Sequence, residues 1–255
     1  MKILAITQAR TGSTRLPNKV LKEIAGKSLL QIHLERVRKS SLITKIIVAT
    51  TTSPEDIKIC DVAEKLGIEW YRGSEDDVLD RFYQASKNYN PDYVVRVTSD
   101  CPLLDPELID SVISLIFDSQ ADYCSNVLIE SFPDGQDVEV FTSKALEKAW
   151  KEALLRSERE HVTPYIYKNA DFKGGRIFKA LNYSTGEKKG HIRLTVDEPV
   201  DFEIVKVLVE NLGTERSWKD YVKYLSDHNI DKNTYIKRNE GYTKSLNKDN
   251  NEPTI

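Results

Sequence analysis

The sequence predicts an α/β fold built on a mixed, mostly parallel sheet. Three observations carry that expectation. Short apolar runs, KILAIT at 2–7, KIIVAT at 45–50 and YVVRVT at 93–98, recur through the first half. Helix-spaced segments of 10 to 15 residues separate them, the pattern of βαβ units. A chain of 255 residues with 40% hydrophobic content is also long enough to bury one large core.

The elements follow in order. After the strand at 2–7 and a polar loop, residues 28–39 read as a helix whose apolar positions are Leu29, Leu30, Ile32, Leu34 and Val37. The strand at 45–50 is followed by a helix over 54–66, with Ser53 as N-cap and Pro54 at the first helical position. A short strand at 69–71 precedes a helical segment at 76–87. Its start carries Glu75, Asp76, Asp77 and Asp80 behind Ser74, which reads as an N-cap with a dipole-favoured first turn. The strand at 93–98 leads through Asp100 to Asp105, which caps a helix begun by Pro106. In the second half DVEVF at 137–141 alternates like a strand, 144–156 reads as a helix, 192–196 as a strand and 200–211 as a helix. Glycines at 174, 175, 186 and 190 mark loops or an excursion from the sheet, and the polar stretch beyond 233 is expected to pack loosely or stay disordered. The expected organisation is one domain over 1–232, with an excursion at about 134–190, and a tail at 233–255.

Composition excludes several classes. Lys plus Arg is 37 and Asp plus Glu is 40, so a net charge of −3 gives no global reason to expect nucleic acid or an anionic membrane. Cys60, Cys101 and Cys124 have no CxxC spacing, which argues against a disulfide framework or zinc site and for a reducing compartment. No apolar run approaches the roughly 20 residues that span a bilayer, and MKILAIT lacks a signal peptide's apolar region. A soluble, cytoplasmic protein is expected.

The loop after the first strand is the strongest chemical signal. It reads Gln8-Ala9-Arg10-Thr11-Gly12-Ser13-Thr14-Arg15-Leu16-Pro17-Asn18-Lys19. Arg10, Arg15, Lys19, Lys22 and Lys27 against Glu23 give a local balance of +4 inside a chain of −3. Small residues let the backbone approach a ligand and present N–H groups to phosphate oxygens, while Arg supplies a bidentate fork and Lys a mobile charge. An exposed basic loop is the alternative. Its place after the first strand of a parallel sheet, where ligands bind, favours phosphate. Other fingerprints fail: Leu21 stands where a P-loop ending at Gly26-Lys27-Ser28 needs its first glycine, and no GxGxxG, HExxH or GxSxG occurs.

Asp100 and Asp197 each close an apolar run, and two such carboxylates could converge on one Mg²⁺ that also takes phosphate oxygens. Helix capping is the competing role. It accounts for Asp105 better than for the other two. Trp70, Tyr71, Tyr83 and Tyr93 read as core or half-buried aromatics rather than a base-stacking platform, Cys101 as a packing residue, and His161 as either a structural hydrogen-bonder or a donor to an anion.

Taken together, AITQARTGSTRLPNKVL, VATTTSPEDI, YRGSEDDVLDRF, RVTSDCPLLDPELID, DGQDVEVF, SEREHVTPYI and HIRLTVDEPVDF resemble the spore coat polysaccharide biosynthesis protein F type of cytidylyltransferase. The chain is more distantly similar to CMP-sialic acid and CMP-3-deoxy-manno-octulosonate synthetases. The resemblance runs in order from residue 1 to about 245. The opening motif is shared across sugar nucleotidyltransferases, and the later segments narrow it to this subgroup.

The resemblance implies a Rossmann-like, three-layer nucleotidyltransferase fold of GT-A type. It implies transfer of CMP from CTP to a sugar or sugar-like acceptor, with release of pyrophosphate, Mg²⁺ as cofactor and a homodimer, in surface polysaccharide biosynthesis. Residue by residue, it assigns Arg10, Gly12, Ser13, Arg15 and Lys19 to the triphosphate loop, which Ala9 adjoins, with Arg15 and Lys19 stabilising the transferring phosphate. Asp100 and Asp197 become metal ligands, the latter in an R-x-T-x-D pattern with Arg193 and Thr195. Ala5 and Thr7 line the floor under the base, and Arg72, Gly73 and Ser74 contact cytosine and ribose. Asp134, Gly135, Asp137, Glu139, His161 and Arg193 face the acceptor or a partner subunit, so that the 134–190 excursion serves acceptor or dimer contact. Ser99-Asp100-Cys101 replaces the Gly-Asp-Glu of the octulosonate enzymes, which points away from their substrate. Since the opening motif does not choose the base, a nucleotidyltransferase using GTP, UTP or ATP stays open. So do a GT-A-type glycosyltransferase and a non-catalytic nucleotide-binding subunit; the full set of cations and acids argues against the last.

Overall fold

A computed structural model of the chain describes residues 1–230, 238 and 240–249. Its main sheet has seven strands in the order β5-β4-β1-β6-β8-β7-β9. The strands are β1 (Ile3–Gln8), β4 (Lys45–Thr51), β5 (Glu69–Gly73), β6 (Tyr93–Thr98), β7 (Tyr123–Ser125), β8 (Glu139–Thr142) and β9 (Ala180–Asn182). A two-stranded hairpin, β2 (Glu23–Ile24) and β3 (Lys27–Ser28), leads into the first helix. β5, β4, β1 and β6 run parallel, β8 is antiparallel to both β6 and β7, and β9 is parallel to β7.

Helices cover both faces, which is why the central strands are apolar throughout rather than alternating. In β1, Ile3 and Ala5 join the core under α1 (Leu29–Val37), α4 (Pro106–Ser119), α8 (Pro199–Leu212) and α9 (Trp218–Asp227). Leu4 and Ile6 join the opposite core under α3 (Val78–Lys87), α5 (Ser143–Glu152) and α7 (Pro164–Lys168). α2 (Ile57–Lys65) connects β4 to β5, and α6 (Arg156–His161) precedes α7. Local chemistry sets the helix starts. Ser28 Oγ accepts the Gln31 N–H at 3.1 Å, and Asp105 accepts the Glu107 N–H at 3.0 Å ahead of Pro106. Among the described residues no helix is long and apolar enough to cross a membrane, and the three cysteines are free and buried.

The topology chooses the site. From β1 the chain steps to β4 and β5 on one side, then returns to β6 on the other. The loops leaving β1 and β6 therefore diverge and open a crevice at the carboxyl ends of the strands.

Several elements differ from the sequence-based expectation. Residues 192–196 form no strand. Arg193 makes a single bridge to Asp134, and the other backbone bonds go to loops, with Leu194 N on Asp134 O at 2.7 Å and Val196 N on Asp100 O at 2.8 Å. The helix expected over 144–156 ends at Glu152, because Ala153 turns extended, and Arg156 begins α6. The helix expected from 76 begins at Val78 with Asp77, not Ser74, as N-cap; Asp77 Oδ1 accepts the Asp80 N–H at 2.9 Å. β7 and β9, three residues each, are too short to show a period, and the 134–190 stretch contributes β8 and β9 to the main sheet. Within the polar C-terminal stretch, α10 (Glu240–Asp249) is helical and packs against α6 instead of hanging loose. Of the rest of that stretch only residue 238 is described.

Candidate active site

Two adjoining cavities, of about 550 and 390 Å³, occupy the crevice. They share Gln8, Arg15, Thr98, Asp100, His161, Asp197 and Gly241 as a common seam. The smaller is walled by the opening loop, from Ala9 and Arg10 through Gly12 and Ser13 to Lys19. The larger is walled by Asp134, Asp137, Glu139 and Arg193.

The seam is charged. Lys19 Nζ lies 2.8 Å from Asp100 Oδ2 and 2.8 Å from Asp197 Oδ1, joining carboxylates 97 positions apart in the chain. Arg15 adds a contact to Asp197 at 3.3 Å and one to Glu198 at 3.4 Å. Burial alone would push the Lys19 pKa down, but the two carboxylates outweigh it and raise it well above the usual lysine value. Burial likewise opposes ionisation of Asp100, and Lys19 reverses this, holding the carboxyl far below its ordinary range. The three groups are thus fixed as one ammonium between two carboxylates.

Asp197 is oriented from behind. Arg193, with a side chain 4% exposed, donates to Asp197 Oδ2 at 2.9 Å, to Asp134 Oδ2 at 2.7 Å and to both oxygens of Asp201 at 2.9 and 3.1 Å. Asp201 Oδ2 in turn accepts the N–H groups of Asp197 and Glu198 at 2.9 and 3.0 Å, so it caps α8 and shapes the turn before it. Gly135 permits the packing of this turn. Its φ is +100°, and a Cβ there would sit 2.5 Å from the Thr195 backbone N.

The larger cavity holds buried polar groups. Glu139, 5% exposed, accepts the Tyr123 and Thr163 hydroxyls at 2.6 Å each and pairs with Arg96. Asp137 is pushed up to about 7 by burial, with Asp134, Glu139 and Glu130 adding to the rise and Arg238 opposing it. His161 lies on the seam; burial pushes it down to about 4, so it is neutral, and its Nε2 has no hydrogen-bond partner among the described residues.

The structure therefore brings Ala9, Arg10, Gly12, Ser13, Arg15, Lys19, Asp100, Asp134, Asp137, Glu139, His161, Arg193 and Asp197 to one crevice. Three expectations need correction. Ala5 and Thr7 are fully buried; the Thr7 hydroxyl points to His33 Nε2 at 3.1 Å in the core, so neither lines the cleft. Arg72, Gly73 and Ser74 also lie off both cavities. The Arg72 guanidinium is spent on the carbonyls of Thr51 and Ser53, at 2.9 and 2.8 Å, and Glu75 and Asp76 line the cleft instead. Gly73 packs beneath Tyr71 and Arg81. Arg193 lines the cavity, but its three nitrogens are taken by carboxylates, so it positions Asp197 rather than offering a free fork to an acceptor.

Sequence reasoning passed over Gln8, the last residue of β1, whose buried Oε1 on the seam has no hydrogen-bond partner among the described residues. A polar residue closing an apolar strand was its only signal. It also passed over Asp56, which anchors the opening loop from β4's side, because a residue so close to a helix start reads as a first-turn acid.

A cytidylyltransferase family model matches residues 4–234. The chain is 36% identical over 222 residues to the spore coat polysaccharide biosynthesis protein SpsF of Bacillus subtilis, covering 83% of this chain and 88% of that one. It is 47% identical over 208 residues to an uncharacterized protein of Methanocaldococcus jannaschii, covering 80% and 82%. A solved cytidylyltransferase from Leptospira borgpetersenii superposes with a TM-score of 0.85 at 33% identity, covering 93% of this chain and all of that one.

Proposed function

The chain belongs to the cytidylyltransferase family, and we propose that it moves CMP from CTP to a hydroxyl of a sugar or sugar-like acceptor in surface polysaccharide assembly. One observation carries the site assignment: the Lys19 ammonium held at 2.8 Å from both Asp100 and Asp197, on the seam between a loop-walled cavity and a second, acid-walled one. In this reading CTP occupies the smaller cavity and the acceptor the larger, so that the α-phosphorus meets the attacking oxygen at the seam.

The reaction is an in-line displacement. The acceptor oxygen bonds to the α-phosphorus as the bond to the bridging oxygen breaks and pyrophosphate departs. Positioning and charge neutralisation supply most of the catalysis in such a step. Arg10, Arg15 and the backbone from Gly12 to Ser13 hold the phosphates. Lys19, on a flexible stem, neutralises charge on the transferring group. Arg193 keeps Asp197 aimed, and the neutral His161 offers a nitrogen to the bound molecules.

Two carboxylates converging on one cation also suit a hard divalent ion: Asp100 and Asp197 would hold Mg²⁺, with phosphate oxygens and water completing its shell. When bound it supplies Lewis-acid stabilisation of the phosphates. A homodimer in the cytoplasm belongs to the same reading, with Leu154, Phe172 and Ile177, exposed apolar residues of the 134–190 stretch, as contact candidates.

Thermal unfolding with CTP, GTP, UTP, ATP and a UDP-sugar, each with and without Mg²⁺, tests the reading. A ligand at 100 times its Kd stabilises by about 2.7 kcal/mol, a shift of several degrees for a domain of this size. Selective stabilisation by CTP supports it and justifies an acceptor screen by pyrophosphate release. Stabilisation by a different nucleotide, or by the UDP-sugar alone, overturns it.

A further inference from the structure

The family match stops at residue 234, but the site does not. Polar contacts dock helix α10 on α6. Ser245, 1% exposed, donates from Oγ to Glu160 Oε2 at 2.9 Å, and Asp249 Oδ1 accepts the Ser157 N–H at 2.9 Å. Tyr242 stands edge-on to His161, with ring centroids 5.1 Å apart. Docked in this way, the helix brings Gly241 to the seam and Lys248 into the wall of the smaller cavity.

Most cations of that cavity already face a carboxylate. Arg10 pairs with Glu75 at 2.9 Å, Arg15 with Asp197 and Glu198, Lys19 with Asp100 and Asp197, and Arg156 reaches Asp76 at 3.9 Å, while Arg81 donates to the Ser74 carbonyl at 2.9 Å. Lys248 is exposed and has no ion pair with a carboxylate among the described residues. Its ammonium is a point charge on a long stem, which suits a phosphate of variable position better than a fixed planar group. A polyanion entering between Glu75, Asp76 and Glu160 also needs an additional cation on that side of the cavity.

We infer that Lys248 is a further binding residue, a ligand of the nucleotide's polyphosphate delivered by the C-terminal helix from outside the family match. The inference rests on the smaller cavity being the CTP site. Ser245 acts through the docking of the helix and is a positioning residue.

Calorimetric binding of CTP and CMP to the full-length protein tests it, using wild type, Lys248→Ala, Ser245→Arg and the double variant, with each melting temperature measured alongside. Loss of one charge-assisted contact lowers CTP affinity by about tenfold in Lys248→Ala. CMP, which lacks the β- and γ-phosphates, binds as to wild type, and the melting temperature does not move because the residue is exposed. Ser245→Arg loses the same CTP affinity, and the double variant loses no more than either single, as expected for two changes acting through one contact. CTP binding by Lys248→Ala equal to wild type overturns the inference, and so does an equal loss of CTP and CMP. Failure of the wild type itself to bind CTP removes the underlying site reading, and that result is separable because it needs no variant.

Discussion

Asp56 holds Thr11 by two atoms at once: one carboxylate oxygen accepts the Thr11 backbone N–H at 2.8 Å and the Thr11 hydroxyl at 2.6 Å. Its other oxygen takes the Thr51 hydroxyl at 2.5 Å, and the residue is 1% exposed. Burial favours the neutral acid, but the hydrogen bonds from Thr11 and Thr51 prevail and keep the carboxyl below its ordinary range. The start of the opening loop is thereby tied to the end of β4. A phosphate-binding loop held in place before the ligand arrives loses less entropy on binding.

Asp56→Asn replaces an acceptor of three hydrogen bonds by an amide that can accept on one side only. Stability is expected to fall by about 1–3 kcal/mol, and the melting temperature by roughly 2–4 °C for each of these. The KM for CTP should rise more than kcat falls, because the residue shapes the loop and touches no reacting atom. Unchanged KM with lowered stability would show that the loop keeps its form without this anchor.

Asp100→Asn and Asp197→Asn remove charge at the seam. Each is expected to lower kcat at least about 100-fold, by analogy with the roughly 2.7–4 kcal/mol lost with one oxyanion-hole donor. Each leaves Lys19 paired with the other carboxylate, so the melting temperature should scarcely move. Steady-state pyrophosphate release set beside differential scanning calorimetry checks both halves. Near-normal turnover in either variant would remove that residue from the chemistry.

Arg193→Met is expected to behave in the opposite way. It takes the shared cation from Asp134, Asp197 and Asp201, and leaves Asp201, 2% exposed, with no other ion pair among the described residues. Breaking a buried pair in this manner costs about 3–5 kcal/mol. Urea unfolding should show the loss directly. Arg193→Lys should recover only part of it, since one ammonium cannot reproduce a three-way fork.

His33 sets an acid limit on stability. Its ring lies fully buried between the Thr7 hydroxyl at 3.1 Å and the Cys101 carbonyl at 2.9 Å, and burial pushes its pKa from 6.5 to about 4. The folded state binds the proton more weakly than the unfolded state, so its contribution is intact above pH 6.5 and is lost as the pH falls towards 4. That loss is on the order of 3 kcal/mol. In His33→Gln, unfolding free energy measured across this window should lose that part of its slope. A slope equal to wild type would place the acid sensitivity elsewhere.

Much of this was legible in the chain. Apolar runs separated by helix-spaced segments specify strands buried on both faces, so β1, β4 and β6 and the loops beyond them could be read directly. The basic, glycine- and hydroxyl-bearing loop from Arg10 to Lys19 and the acid Asp100 could be found because polar residues beyond an apolar strand in such a sheet face the crevice, and Asp197 because it closes an apolar run, although that run forms no strand. Those features are local. They depend on periodicity and on the few residues next to it.

Partner choice is not local, and there the tertiary structure decided. Whether Thr7 faces the cleft or His33 depends on which face of β1 the pleat presents to α1. Whether Arg72 meets a nucleotide or the carbonyls of Thr51 and Ser53 depends on the register of β5 against β4. Arg193 lies four positions from Asp197, but the carboxylate of Asp134, 59 positions away, completes its fork. α10 has a largely polar sequence, and its place is set by partners on α6: Glu160 accepts from Ser245, the Ser157 N–H donates to Asp249, and His161 meets Tyr242. The sequence alone determined the cation-rich opening loop and the two acids, Asp100 and Asp197, that the crevice contains. The order of the strands determined which of them meet, because it fixes the distances between loops that the chain itself keeps far apart.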